Sequence, residues 1–231
     1  MRKITIPIII YLFLIIIFIF IIPLKLNSSY RENHFDINDD VPENKTPKPS
    51  ILKHTYLMLV NKNYFVERDY TPKNLVNPRD FGVNTANDDV LVPIEVLTPY
   101  IRMVNELDLI NLYIFSGYRN YAKQEILYNY YRDDNYSAKP GFSEHHTGFA
   151  LDLSTLESGL EVFFSRTKEY EILINNSYKY GFILRYPIDK SHETGYLYEP
   201  WHFRYVGVIH AKRIYKANIT LEQYIMENFG F

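Results

Sequence analysis

The stretch that decides the fold reads Ser143-Glu144-His145-His146-Thr147-Gly148-Phe149-Ala150-Leu151-Asp152. It places an imidazole, His145, and a carboxylate, Asp152, seven residues apart. The carboxylate lies inside an apolar run that is typical of a buried strand, where an unpaired charge is costly. A bound cation would remove that cost, and Gly148 together with the small Ala150 suits a tight loop that leads into the strand.

A second cluster, Glu199-Pro200-Trp201-His202, lies about fifty residues downstream. Proline makes a regular helix interior unlikely, so the spacing predicts a bend that enters a strand. Two imidazole nitrogens and one carboxylate oxygen make a three-ligand zinc shell, and a catalytic zinc keeps its fourth position for water. Glu199 is then the group that could take a proton from that water. The two clusters together predict a zinc peptidase.

Two ambiguities accompany this interpretation. Adjacent side chains in an extended segment point in opposite directions, so only one of His145 and His146 should face the metal. Its position in the motif favours His145. Taken alone, Glu199 and His202 would be interpreted as a surface glutamate and a half-buried histidine that packs on Trp201. Their combination with the first cluster favours the metal site.

The pattern of apolar residues predicts an α+β fold, in which a small, mainly antiparallel sheet is flanked by helices. Strands are predicted at 56–60, 112–115, 149–153, 182–186 and 201–206, and helices at 93–107, 121–132, 167–180, 207–215 and 221–228.

A membrane anchor is predicted ahead of this domain. Residues 4–24 carry no charge, and a helix of that length matches a hydrocarbon core of ~30 Å. A cleavable signal peptide is the alternative, but no A-x-A pattern follows the run. Arg2 and Lys3 favour a cytoplasmic N-terminus, which places the remainder outside the cell. The expected organisation is a cytoplasmic stub and anchor at 1–24, a flexible stalk at 25–50 and a zinc peptidase domain at 51–231.

The composition excludes several classes of function. Lys and Arg number 25 against 27 Asp and Glu, which gives a net charge of −2 and no electrostatic reason to expect nucleic acid as a partner. There is no cysteine, so disulfides, thiolate zinc sites and a cysteine nucleophile are excluded together.

Three groups of residues together resemble the VanY-like zinc D-alanyl-D-alanine carboxypeptidases, which belong with the lysostaphin and hedgehog-type metallopeptidases. The resemblance runs from about Tyr56 to about Tyr215, and its motifs occur in the family's order and spacing. The motifs are Ser116-Gly117-Tyr118-Arg119 with Gln124, the stretch from Ser143 to Asp152, and Glu199-Pro200-Trp201-His202-Phe203-Arg204-Tyr205-Val206-Gly207.

The resemblance implies one zinc ion per chain, held by His145, Asp152 and His202, with Glu199 as the catalytic base. It also implies that substrate is contacted by Arg119, Gln124 and Ser143, with Arg185 as a further candidate. The planar guanidinium of Arg119 suits either a developing oxyanion or a substrate carboxylate.

The implied activity is removal of the C-terminal D-alanine from peptidoglycan stem peptides. The same motifs would serve an L,D-carboxypeptidase that acts on tetrapeptide stems, and endopeptidase action on cross-bridges is a third version. A different class of function is a zinc-stabilised module that binds the cell wall without catalysis. Such a module would need neither Glu199 nor Arg119, and the presence of both argues against it.

Overall fold

Short strands and helices alternate along the chain, and the computed structural model describes them for residues 46–53, 55–134 and 136–230. The strands of this part are β1 (Lys48–Pro49), β2 (Tyr64–Phe65), β3 (Leu75–Val76), β4 (Val92–Pro93), β5 (Tyr113–Ser116), β6 (Ala150–Ser154), β7 (Phe182–Tyr186) and β8 (Glu199–Tyr205). The α-helices of the same part are α1 (Ile94–Glu106), α2 (Tyr121–Tyr131), α3 (Lys168–Asn176), α4 (Ser191–Thr194), α5 (Val208–Ala217) and α6 (Leu221–Phe229).

The centre of the fold is a four-stranded antiparallel sheet in the order β5-β6-β8-β7. Because side chains alternate between the two faces of a strand, Leu151 and Leu153 of β6 point away from Asp152. They are fully buried in a core that also contains Phe203 of β8 and Leu97 of α1. One face of the sheet therefore supplies the main core, and the opposite face is left for polar side chains.

The predicted fold class is confirmed as an α+β arrangement with a small antiparallel sheet and flanking helices. Most predicted elements agree with the structure to within a few residues. The helix predicted at 167–180 consists of α3 followed by a 3-10 turn, Ser177–Tyr180, which Gly181 ends in the left-handed region.

The strand predicted at 56–60 is wrong. The segment contributes no strand to the sheet, although the side chains of residues 57–60 are buried. Its carbonyl groups are instead bound by side chains, since Arg204 Nη2 donates to Tyr56 O at 3.0 Å and to Met58 O at 2.8 Å. Ser50 Oγ donates to Leu59 O at 2.6 Å. An apolar run can therefore be buried without a neighbouring strand, provided that its backbone groups are satisfied.

The packed chain begins before the predicted boundary at residue 51. Strand β1 lies inside the predicted stalk, and it pairs in parallel with β2. The amide of Ser50 also donates to Phe65 O at 2.6 Å, and its side chain is buried. Residues 48–50 thus belong to the folded unit.

The predicted anchor at 4–24 and most of the predicted stalk lie outside the described residues. Within residues 46–53, 55–134 and 136–230, no helix combines the length and the apolar character that crossing a membrane requires.

Candidate metal and active site

The two central strands bring a carboxylate and an imidazole together. Asp152 of β6 and His202 of β8 are direct partners in the antiparallel register, so their side chains leave the same face of the sheet. The register between β7 and β8 changes between Leu184 and Tyr186, close to Pro200. This irregularity corresponds to the bend that the proline predicts, and β-bulges are frequent beside active sites.

His145 reaches the same face from a short 3-10 helix, Glu144–Thr147, that precedes β6. Ser143 caps this helix, because its Oγ accepts a hydrogen bond from the His145 amide at 3.3 Å. Gly148 ends it with φ +74°, and a Cβ at that position would lie 2.8 Å from Pro93 Cγ. The glycine is therefore required both by the left-handed backbone and by the close approach of a proline ring.

Three buried side chains offer donor atoms that lie within 4.8 Å of one another: His145, Asp152 and His202. His145 Nε2 lies 3.1 Å from Asp152 Oδ2, and His202 Nδ1 lies 3.2 Å from Asp152 Oδ1. Among the described residues no hydrogen bond reaches the buried Asp152 Oδ1. A buried carboxylate oxygen without a partner, between two imidazoles, fits a divalent cation, and two nitrogens with one carboxylate oxygen is a donor set that zinc accepts.

The electrostatics of the three donors also suit a cation. Burial opposes ionisation of Asp152, but the neighbouring imidazoles His145 and His202 outweigh it and hold the pKa of the carboxyl below its usual range. Burial likewise opposes protonation of His202, yet the adjacent carboxylates of Asp152, Glu144 and Glu199 raise its pKa well above the ordinary value. Burial lowers the pKa of His145. The cluster thus keeps its carboxylate ionised and favours positive charge beside it.

A backbone carbonyl group fixes the orientation of the His145 ring on the side that faces away from Asp152. Its Nδ1 lies 2.7 Å from Gly117 O, and because a carbonyl only accepts, Nδ1 must carry the proton. The unprotonated Nε2 is then the nitrogen that faces Asp152. Gly117 itself is packed so closely that a Cβ there would collide with the carbonyl oxygen of Leu91.

Glu199, the first residue of β8, lies beside the donor cluster. Its Oε2 is 3.4 Å from His202 Nδ1, and its side chain is 21% exposed. The same side chain lines a cleft of about 990 Å³. A carboxylate that is half-buried, next to a metal site and open to solvent is placed to exchange a proton with water.

Arg119 follows strand β5 and is held in place by neighbours. Its Nη1 donates to Gln124 Oε1 at 2.8 Å and its Nη2 to Ser116 Oγ at 2.9 Å, while Nη2 lies 4.0 Å from Asp152 Oδ2. The buried Gln124 is fixed in turn, since its Nε2 donates to Ala138 O at 2.6 Å. Burial lowers the pKa of Arg119, although the adjacent Asp152 opposes that change.

The cleft collects the residues that the sequence singles out. Its walls include seven of the eight predicted site residues, Arg185 being the exception: Arg119, Gln124, Ser143, His145, Asp152, Glu199 and His202. Aromatic side chains, among them Tyr198 and Trp201, complete the lining. The structure therefore brings the three predicted motifs to one concave surface, which is the usual setting of a small-molecule or peptide site.

His146 is not part of the donor cluster. Its Nε2 accepts a hydrogen bond from the Gly141 amide at 2.9 Å, and its Nδ1 lies 2.6 Å from Arg119 O. Burial lowers the pKa of His146 to about 4, so the ring is neutral at ordinary pH. The structure therefore places His145 at the donor cluster and leaves His146 to join two loops.

Arg185 does not reach the cleft, and the suggestion that it contacts substrate is wrong for this arrangement. It is 1% exposed and binds two carboxylates, the buried Glu144 and the partly buried Glu222.

Glu144 is the residue that sequence reasoning missed. Its side chain is completely buried, and its Oε1 accepts from Arg185 Nε at 2.8 Å and from Arg204 Nη1 at 2.7 Å. Burial opposes its ionisation, but the two guanidinium groups hold its pKa far below the usual range. The sequence does contain a signal for this residue. Arg185 and Arg204 lie inside predicted buried strands, where a charged side chain needs a carboxylate partner.

The part of the chain that holds this cleft matches a known family. Residues 95–208 match the family model described as VanY, D-alanyl-D-alanine carboxypeptidase. A bifunctional D-Ala-D-Ala dipeptidase and D-Ala-D-Ala carboxypeptidase, VanXYC of Enterococcus gallinarum, is 33% identical over 180 residues, which cover 73% of this chain and 92% of that protein. The chain belongs to the VanY family.

Solved structures of similar proteins share the fold. The L,D-carboxypeptidase LdcB is 35% identical, with a TM-score of 0.68 over 74% of this chain and 85% of that one. A vancomycin-resistance D,D-pentapeptidase VanY in complex with Zn(II) is 29% identical, with a TM-score of 0.59 over 74% of this chain and 98% of that one.

Two further relatives are longer than the region that they share with this chain. The aligned part spans 64% of a D-alanyl-D-alanine carboxypeptidase from Enterococcus faecium, which is 32% identical. It spans 66% of a relative from Bacillus subtilis (strain 168), which is 36% identical.

Proposed function

We propose that this VanY-family protein is a zinc-dependent D-alanyl-D-alanine carboxypeptidase that removes the C-terminal D-alanine from peptidoglycan stem peptides. The observation that carries the proposal is the convergence of His145, Asp152 and His202 in one cleft with Glu199 and Arg119. A non-catalytic binding module would need the first three residues but not the last two. The Zn(II) complex of a similar VanY protein supports zinc as the metal. We propose one ion per chain, because the donors of His145, Asp152 and His202 form a single cluster.

The roles follow from the chemistry of each side chain. A zinc ion held by the three donors supplies a Lewis acid that acidifies water and polarises a carbonyl group. Glu199 accepts a proton from the attacking water and returns it to the leaving amine, so that the peptide C–N bond breaks and free D-alanine departs. Arg119, held by Gln124 and Ser116, donates to the oxygen on which negative charge develops or to the terminal carboxylate of the substrate.

The remaining predicted residues orient the site. Gln124 fixes one side of the Arg119 guanidinium, because its own amide is held by Ala138 O. Ser143 lines the cleft and caps the helix that carries His145. Both residues contact substrate in this proposal.

The test is release of D-alanine from a stem pentapeptide, followed by mass spectrometry with the purified full-length chain and zinc. We expect turnover that is lost on treatment with a chelator, restored by added zinc, and abolished in Glu199→Ala. Robust hydrolysis by the Glu199→Ala protein would refute the role of that carboxylate.

An L,D-carboxypeptidase that acts on tetrapeptide stems is the second candidate. The similarity to LdcB favours it, because that protein is named an LD-carboxypeptidase. Side-by-side incubation with the pentapeptide and the tetrapeptide distinguishes the two activities, since each releases D-alanine from only its own substrate.

We also propose that residues 1–24 anchor the protein in the cell membrane, that 25–50 include a stalk, and that the peptidase domain is extracellular. The uncharged run at 4–24 and the preceding Arg2 and Lys3 support this topology. Protease treatment of intact cells should degrade the domain, and its complete protection would contradict the orientation.

A further inference from the structure

His202 can bind a metal through only one of its two nitrogens. Nδ1 faces the donor cluster, at 3.2 Å from Asp152 Oδ1 and 3.4 Å from Glu199 Oε2. A neutral imidazole carries a single proton, so Nδ1 is a ligand only when that proton is on Nε2. Something on the far side of the ring must therefore accept it.

The far side of His202 faces a carboxylate oxygen. His202 Nε2 and Glu144 Oε2 are both buried and lie 3.5 Å apart. Within the described part of the chain, neither atom makes a hydrogen bond, to the other or to a third group. A buried donor and a buried acceptor that are unsatisfied are each costly, and a hydrogen bond between these two facing atoms would remove both costs.

Two arginines hold the Glu144 side chain so that only one of its carboxylate oxygens remains available to accept a hydrogen bond from His202. Its Oε1 accepts from both Arg185 Nε and Arg204 Nη1, and all three of these side chains are completely buried. Such charge-assisted hydrogen bonds fix the plane of the carboxylate as well as its charge. The second oxygen, Oε2, is thereby directed at His202.

One of the two arginines, Arg185, also binds a second carboxylate, which comes from the C-terminal helix. Glu222 of α6 binds Arg185 through two hydrogen bonds, of 2.6 and 2.9 Å. Asn61 Nδ2 donates to the same carboxylate at 3.0 Å. The four charges of Glu144, Arg185, Arg204 and Glu222 cancel, so the cluster supports an ionised Glu144 without net charge in the interior.

We infer that Glu144 is a positioning residue that accepts the Nε2 proton of His202 and thereby leaves Nδ1 to bind the metal. It does for His202 what the carbonyl group of Gly117 does for His145. Such partners orient metal-binding histidines and select their tautomer. The inference rests on the proposed metal site, but it concerns the tautomer of the His202 imidazole and not the hydrolysis of a substrate.

The first test uses the unsubstituted full-length chain with zinc and nitrogen-15 NMR of the histidine side chains. We expect the His202 proton on Nε2, next to the carboxylate of Glu144. A proton on Nδ1, or a ring that binds zinc through Nε2, would overturn the inference without any variant having to fold.

The second test measures zinc affinity by competition with a chelator in Glu144→Gln and Glu144→Asp. The glutamine side chain of the first variant can itself donate to Nε2 of His202, and it therefore favours the wrong tautomer. Aspartate keeps the negative charge beside the arginines but is too short to reach His202 as well. We expect zinc to bind ~10–100-fold more weakly in both variants, as is usual when such a partner is lost.

The matched control is Glu222→Gln, which removes a carboxylate from the same buried cluster but has no contact with His202. Its zinc affinity should remain that of the unsubstituted protein, and its histidine spectrum should not change. Equal losses in Glu222→Gln and the Glu144 variants would mean that general destabilisation explains both, and unchanged affinity in the Glu144 variants would also overturn the inference. Failure of the unsubstituted chain to bind zinc at all would instead refute the proposed function.

Discussion

Asp152 and His202 are direct partners across the two central strands of the sheet, and Asp152 Oδ1 lies 3.2 Å from His202 Nδ1. The most regular part of the fold therefore fixes two of the three donors, and the main core lies on the opposite face of the same strands. A site built on strands holds its geometry more precisely than one built on loops.

Replacing Asp152 by asparagine should remove zinc binding while the fold is retained. The amide keeps the shape of the side chain but loses the negative charge that balances the cation. Zinc affinity should fall by more than the ~10–100-fold that is usual when a residue that hydrogen-bonds to a metal ligand is lost. Metal content after dialysis measures the change. The control is Asp88→Asn, since the Asp88 side chain is 87% exposed. Full zinc content in the Asp152 variant would contradict its role as a ligand.

Arg119→Lys should lower kcat/KM by about 10²–10³-fold, the usual effect of removing a donor to a developing oxyanion. Lysine keeps the charge, but its single nitrogen cannot replace both Nη1, which donates to Gln124, and Nη2, which donates to Ser116. Steady-state kinetics with the pentapeptide provide the measurement. Glu125→Ala is the control, because Glu125 is an exposed neighbour on α2 that does not line the cleft. Unchanged kinetics of the Arg119 variant would remove this residue from the mechanism.

Gly148→Ala should both destabilise the protein and weaken zinc binding. A non-glycine residue in the left-handed region costs ~1–3 kcal/mol of unfolding free energy, and the added Cβ would also press on Pro93. Gly82→Ala is closely matched, since Gly82 also ends a 3-10 helix at φ +75° but has open space around it. Denaturant unfolding should show a smaller loss for Gly82→Ala, with normal zinc affinity. Equal behaviour of the two variants would show that the proline contact is unimportant.

Arg204→Met should lower the free energy of unfolding by ~3–5 kcal/mol, because it breaks a buried ion pair. It also leaves the carbonyl groups of Tyr56 and Met58 without their donor. Chemical denaturation measures the change. The exposed Arg166 offers a control, for which Arg166→Ala should alter stability by no more than ~0.5 kcal/mol. A mild effect of the Arg204 substitution would mean that water replaces the lost donor.

Most of the site could be predicted from the sequence, because the site residues lie in short local motifs. His145 and Asp152 belong to one loop-and-strand unit, and Glu199 and His202 belong to another, so spacing and residue type sufficed to predict the donor set. The residues that support the site were harder to predict. The role of Glu144 depends on its contacts with Arg185 and Arg204, and these contacts form only in the folded chain.

The error at residues 56–60 has the same origin. A run of apolar residues predicts burial, but it does not reveal whether backbone groups bind a neighbouring strand or a side chain. Here the donor is Arg204, about 150 positions away along the chain. The inclusion of residues 48–50 in the folded unit could not be predicted, because β1 and β2 are only two residues long and carry no period.

The antiparallel pairing of β6 with β8 has a consequence for how the protein matures. During synthesis the ribosome releases His145 and Asp152 well before His202, so an unfinished chain offers only two of the three donors. The proposed metal site is therefore complete only when β8 inserts between β6 and β7, and a polypeptide that ends before β8 lacks both His202 and Glu199.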